Sequence, residues 1–179
     1  CRRVQNSTSQ DRYSKPAVFF HWAVFLLVAL AYLAIEIRGP KGSDSRIFWN
    51  GVHYWAGTLV LTFAVFRLVW RLWRGAPNEI EVSAVLTFLA RLVHVALYLF
   101  IFVQPLLGIL MLNTGGHPLK LAGLNVEITL VGTDAVARHA IKNAHVWIGN
   151  AFYFVIGLHA LGALTHHFVF RDRTLQRML

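Results

Sequence analysis

Four stretches of this chain contain no Asp, Glu, Lys or Arg over the length that a bilayer crossing requires, and no other property limits its fold so strongly. They run from Pro16 to Ile35, Ile47 to Phe66, Leu92 to Leu119 and Asn143 to Phe170, the apolar part of the third ending near Leu112. An α-helix rises 1.5 Å per residue, so about 20 apolar residues cross the hydrocarbon layer. Each stretch is too long for an ordinary core helix of a soluble protein. The first continues into a connected bundle and does not read as a cleaved signal peptide. With 56% hydrophobic and 14% charged residues, the chain reads as an all-α integral membrane protein, a four-helix bundle in the lipid bilayer. The expected helices cover about 16–36, 47–73, 84–112 and 143–170 of one domain spanning 13–179, and 1–12 reads as a disordered lead-in.

Positive charge orients such a bundle. Of the 17 Lys and Arg, 11 fall in the N-terminal segment (Arg2, Arg3, Arg12, Lys15), the second connection (Arg67, Arg71, Arg74, Arg91) and the tail (Arg171, Arg173, Arg177). Arg38, Lys41, Arg46, Lys120, Arg138 and Lys142 fall on the other side. Both termini are therefore expected in the cytoplasm. The net charge of +9 reads mainly as this topological bias, with some attraction to anionic lipid and no nucleic-acid partner. A single cysteine, Cys1, excludes an intrachain disulfide and a thiolate metal cluster. Ser14 and Ser83 are expected helix caps, and Trp70 and Trp73 expected interfacial anchors. The connection from Asn113 to Ala140 is the longest outside the membrane, and part of it is expected to lie over the mouth of the bundle.

Histidine placement carries the chemistry. His145 and His159 are fourteen residues apart on the fourth stretch, which returns a helix to within about 40° of the same face and advances it roughly 21 Å. An imidazole in hydrocarbon is costly without a partner and marks a functional site. His53 lies at a depth comparable with His145, and His21 at a depth comparable with His159. This suggests an outer pair, His53 with His145, and an inner pair, His21 with His159. Two imidazoles filling both axial positions of a haem iron suit electron transfer. The alternatives are hydrogen-bonded bundle histidines, a proton relay or a non-haem metal site.

His94, at the inner depth on the third helix, is placed outside the ligand set. It could donate a supporting hydrogen bond, serve a quinone or replace a ligand. His166 and His167 read as boundary residues, His117 and His139 as loop residues. The strings His53-Tyr54-Trp55-Ala56-Gly57 and His145-Val146-Trp147-Ile148-Gly149 share the pattern His-x-Trp-x-Gly. A glycine one turn beyond each histidine suits either a flat macrocycle or close helix packing.

From Tyr13 to Met178 the chain resembles the bacterial four-helix cytochrome b561 family. The strings that carry the likeness are Tyr13-Ser14-Lys15, His21-Trp22, Arg38-Gly39, His53, Arg67, Lys142 before His145, Tyr153-Phe154-Val155-Ile156-Gly157-Leu158-His159-Ala160, His166-His167, Asp172, Thr174-Leu175 and Arg177-Met178. The resemblance implies two haem b groups, with His21 and His159 on the cytoplasmic side and His53 and His145 on the periplasmic side. It is strongest to members that oxidise superoxide and reduce ubiquinone, which implies superoxide and ubiquinone as substrates in the inner membrane. Residues 1–10 and 117–140 depart from the family pattern. A fourteen-residue spacing also occurs in cytochrome subunits of respiratory formate dehydrogenases and hydrogenases, an architectural likeness only.

A mouth lined by Arg38, Lys41, Arg46, Arg138 and Lys142 would attract an anion. Lys142 and Arg38 are the candidate catalytic residues. Lys142, nearly one turn before His145, could steer superoxide or bond a quinone oxygen, or be an ordinary interfacial lysine. Arg67 and Arg91 are placed for haem propionates, with positive-inside topology as the simpler account. Two other functions remain open: a quinone-reactive subunit serving a dehydrogenase or other redox partner, and a non-haem histidine-based transporter or sensor.

Overall fold

The computed structural model describes residues 12–75, 77, 83–121 and 123–179. Nearly all of the expected lead-in at 1–12 lies outside the described residues. Four long helices carry the fold: α1 (Lys15–Ile37), α2 (Asp44–Arg74), α3 (Ala84–Thr114) and α4 (Ala135–Thr165). All four are long and apolar enough to cross a membrane. They display a belt of large apolar side chains, including Phe154 at 81% and Leu72 at 77% exposure. A lipid layer covers such a belt without the cost of hydrating it.

Local chemistry sets the helix ends. Ser43 caps α2 by accepting from the Arg46 amide, and Ser83 caps α3 by accepting from Leu86. Gly75, at φ +75°, closes α2 and returns its N–H to the Arg71 carbonyl. Ser14 precedes α1 but makes no capping bond; its hydroxyl accepts from Trp70 Nε1 at 2.7 Å and ties α1 to the end of α2. The largest departure from expectation is α4, which begins at Ala135 and not near 143. Asp134 caps it with bonds from Val136 and Ala137. Arg138, His139 and Lys142 extend the helix beyond the apolar layer, because charge marks where a helix leaves lipid and not where it ends.

The expected long loop shrinks accordingly. It holds a two-stranded antiparallel hairpin, β1 (Leu119–Lys120) with β2 (Glu127–Ile128), bridged by Lys120 and Glu127 at 2.6 Å. Leu119 and Leu121 are buried with Ile109 against Tyr54, Trp55 and Leu112, so the hairpin caps the ends of α2 and α3. Asn113 fastens it, donating to the carbonyls of His117 and Ile128 and accepting from the Leu130 amide.

Within the bundle α1 packs closely on α2 and α3 on α4, while α2 and α3 share a thinner contact. Two helical hairpins thus face each other across a slot. Its centre is filled by Val24, Val60, Ala64, Phe100 and Ile101, with Tyr32, Phe152 and others packed around them. Phe100 stacks on Phe152 at 4.2 Å and on Tyr32 at 6.4 Å. The Tyr32 hydroxyl bridges the slot to the Gly149 carbonyl at 2.7 Å.

At the end where Tyr13 meets Arg177, α4 runs into a π-helical turn (His166–Phe170) and a short 3-10 turn (Leu175–Met178). Arg171 reverses the chain at φ 54°, the Met178 carbonyl accepts from Trp22 Nε1 at 2.7 Å, and the Asp172 carboxylate meets His166 Nδ1 at 2.5 Å. Partial burial pushes the Asp172 carboxyl upward, but the bonds from His166 and Thr174 outweigh it and hold it below the ordinary carboxylate range. A carboxylate stabilised in the fold contributes above its unfolded pKa of about 3.9 and loses that contribution as pH falls through its lower folded value. Asp172→Asn is expected to loosen residues 173–179 at neutral pH, seen as faster proteolysis of the tail. The unmodified chain should show the same loosening only in strong acid.

Candidate haem sites

The slot brings the four expected histidines together in two pairs. Near the hairpin, His53 of α2 and His145 of α4 have ring centres 6.2 Å apart at an interplanar angle of 82°. Near the termini, His21 of α1 and His159 of α4 are also 6.2 Å apart, at 72°. Iron held by one nitrogen of each ring at about 2.0 Å puts the ring centres roughly 6.4 Å apart. Both gaps therefore suit one metal atom between the rings. They are too wide for a hydrogen bond between the rings.

Neighbouring backbone sets the rings near the hairpin. His53 Nδ1 donates to the Ala31 carbonyl at 2.9 Å and His145 Nδ1 to the Gln104 carbonyl at 3.1 Å. Each bond selects the tautomer that leaves Nε2 free to coordinate, the usual support for a metal-binding imidazole. Gln104 also returns its side-chain N–H to the His145 carbonyl at 2.9 Å, so the two residues clasp each other. Gly108 lies beside this clasp, and a Cβ there would come into ordinary contact with His145 Cε1 at 3.4 Å. The other pair is less supported. His21 Nδ1 is buried with no hydrogen-bond partner, a cost that a ligand in the slot would relieve.

His94 adjoins the pair near the termini, its ring 5.2 Å from that of His159, while its Nδ1 bonds the Ala90 carbonyl at 2.6 Å. The two glycines of the repeated pattern differ in their surroundings. A Cβ on Gly57 would meet nothing within 4 Å. One on Gly149 would meet Gln104 Nε2 at 3.0 Å, so that glycine serves helix packing. Residues that sequence reasoning missed are Ala31, Gln104 and Gly108. The polar Gln104 beside Pro105, in an otherwise apolar run, was the one visible signal.

The cationic mouth divides in the structure. Lys142 lines a cavity of about 500 Å3 with Arg138, His139, Asp134, Thr114 and Thr133. Arg138 lies against Gly115, whose absent side chain makes its room. Arg38 does not line that cavity; it is half-buried at the end of α1, close enough for its charge to act on His53 and Tyr54. Arg46 donates to the Gly39 carbonyl at 3.1 Å and braces the α1–α2 turn. Gln104→Leu is expected to lower stability by about 1 kcal/mol through loss of the bond to His145, measured as a lower thermal midpoint in detergent. Phe152→Leu, in the stacked layer, should leave the His145 bonds in place.

Residues 12–179 match the family model of prokaryotic cytochrome b561. The chain is 34% identical over 172 residues to cytochrome b561 homolog 1 of Escherichia coli K12, covering 94% of this chain and 97% of that protein. It is 32% identical over 169 residues to the probable superoxide oxidase CybB of Yersinia pestis, covering 94% and 96%. Cytochrome b561 homolog 2 of E. coli K12 is 29% identical over 179 residues, covering 97% and 94%. Proteins of this family bind haem b, and the paired imidazoles and the buried, unpartnered His21 nitrogen fit that group. This chain is therefore a multi-pass membrane cytochrome of the cytochrome b561 family.

Proposed function

We propose that the protein is a dihaem oxidoreductase of the bacterial inner membrane, with both termini in the cytoplasm, that oxidises superoxide at the periplasmic face and reduces ubiquinone. The observation that carries the reading is the pair of equal imidazole gaps, each 6.2 Å, at two depths of one bundle. His53 and His145 would hold one haem b and His21 and His159 the other, and the haems would supply one-electron transfer. Two superoxide ions release two electrons on oxidation to O2, and ubiquinone takes up two electrons and two protons.

The protein's own groups do the rest. Ala31 and Gln104 carbonyls hold the imidazoles of one pair in register. The packed layer of Tyr32, Phe100 and Phe152 excludes water between the two levels. Lys142 and Arg138 concentrate anions in their cavity, and Arg38 adds positive charge beside His53. The likeness to a probable superoxide oxidase supports superoxide as that anion.

A second reading, a cytochrome subunit of a larger complex, is favoured by one feature. α4 contributes no fully buried residue, and Asn143, Trp147 and Asn150 border an open cavity on its exposed side. Exposed amides at membrane depth suit a neighbouring helix. Stable co-purification of a hydrophilic dehydrogenase would support it.

The purified chain should show a b-type difference spectrum and two haems by pyridine haemochrome; absence of a Soret band would point to the non-haem transporter or sensor. His53→Ala and His145→Ala should each remove one haem, and His21→Ala and His159→Ala the other. Loss of haem from His94→Ala alone would refute this assignment. In anaerobic assays with a superoxide source, the protein should accelerate ubiquinone reduction. Lys142→Ala should slow the reaction several-fold and weaken its salt dependence.

A further inference from the structure

α2 repeats the fourteen-residue spacing of α4 with one change. Where α4 carries His145 and His159, α2 carries His53 and Arg67, so a guanidinium stands at the depth and on the face where the other helix has an imidazole. Arg67 is half-buried, and its guanidinium carbon lies 5.6 Å from the centre of the Tyr98 ring of α3. Arg71, one turn further, reaches the same ring at 5.7 Å. Two cations brought to one ring repel each other, and the cost rises as water is excluded. The Tyr98 hydroxyl is buried beside Arg67 with no partner of proper hydrogen-bond geometry.

Among the described residues, no carboxylate pairs with Arg67 or Arg71. Among the described residues, Asp172 is the acidic group at this end, and His166 and Thr174 already hold it. Glu36, Asp44, Glu127 and Asp134 belong to the opposite end of the bundle. Arg67 lies close enough to His21 and His159 for its charge to act on both, so the cluster borders that pair and not the lipid surface alone. Positive-inside topology explains an arginine in water or among headgroups. It does not explain one turned inward beneath a tyrosine.

We propose that Arg67, Arg71 and Tyr98 form an anion seat for a propionate carboxylate of the haem b held by His21 and His159, an inference that rests on the ligand assignment under Proposed function. The guanidinium fork of Arg67 matches a carboxylate in two-point contact, the Tyr98 hydroxyl is a third donor, and Arg71 closes the seat from the exposed side. A fixed positive charge there favours the reduced haem, which carries one positive charge fewer at iron. The same donors would accept the phosphate of an anionic lipid headgroup, the competing occupant.

The test is a spectroelectrochemical titration of the full haem-loaded chain in detergent, with redox-difference infrared spectra of the carboxylate bands. The wild type should show two b-type components. Arg67→Gln should shift one of them to lower potential, leave the other in place and alter one propionate band; Arg67→Lys should recover part of the shift. Should Arg67→Gln not retain haem, Arg71→Gln and Tyr98→Phe carry the same expectation with a smaller shift. Unchanged potentials and bands in all these variants would overturn the seat. So would a potential that moves only when phosphatidylglycerol is added and that loses this response in Arg67→Gln, which would identify a headgroup site. A wild-type chain with a single b-type component would overturn the two-haem reading, and the seat with it.

Discussion

Imidazole nitrogens in the middle of a hydrocarbon layer need partners, and the way this chain supplies them governs much of the bundle. His53 and His145 each spend one nitrogen on a backbone carbonyl of the preceding helix, and their rings stand 6.2 Å apart, too wide for a hydrogen bond between them. A metal held between them would convert a desolvation cost into binding energy, and that energy would count towards folding. The helices must stay far enough apart to keep both gaps open. This is why α1 with α2 and α3 with α4 are close pairs while the slot between the pairs is bridged by long side chains such as Tyr32.

Between the two histidine levels the slot cannot be left empty, since a void forfeits dispersion contacts and admits water. The stacked rings of Tyr32, Phe100 and Phe152 fill it and fix the helix separation through their own thickness. Small residues do the opposite work where helices must touch: Ala34, Ala56 and Ala64 are almost wholly buried, and Gly149 admits Gln104. The bundle is thus close at its helical pairs and open along its slot.

Much of this was legible from residue types and spacing. Membrane crossing follows from charge-free length alone, and fourteen residues on one helix place two histidines at two depths whatever their neighbours are. Depth suggested the pairs His21 with His159 and His53 with His145, and in the structure the rings of each pair stand 6.2 Å apart. Other features were hidden for physical reasons. The acceptors for His53 and His145 are main-chain carbonyls, which every residue has, so nothing in the sequence marks Ala31 or Gln104 as the one used. Ser14 has the chemistry of a cap but bonds Trp70, because a tertiary donor was available to its hydroxyl. The start of α4 was missed because loss of hydrophobicity was taken for loss of helix.

Arg67 shows the same division in one residue. Its place among many cationic residues near a membrane boundary made topology the simpler account, and spacing did not say whether its side chain faced lipid, water or the slot. The sequence by itself determined the membrane class, the four crossings and the depths of the histidines, since these depend on composition and on the constant rise of a helix. Only the tertiary structure decided which faces meet: that Arg67 and Arg71 converge on Tyr98, that Lys142 and Arg38 stand apart, and that Gly57 faces open space while Gly149 faces a helix. Those outcomes depend on the rotation and separation of neighbouring helices, set by packing between residues far apart in the chain.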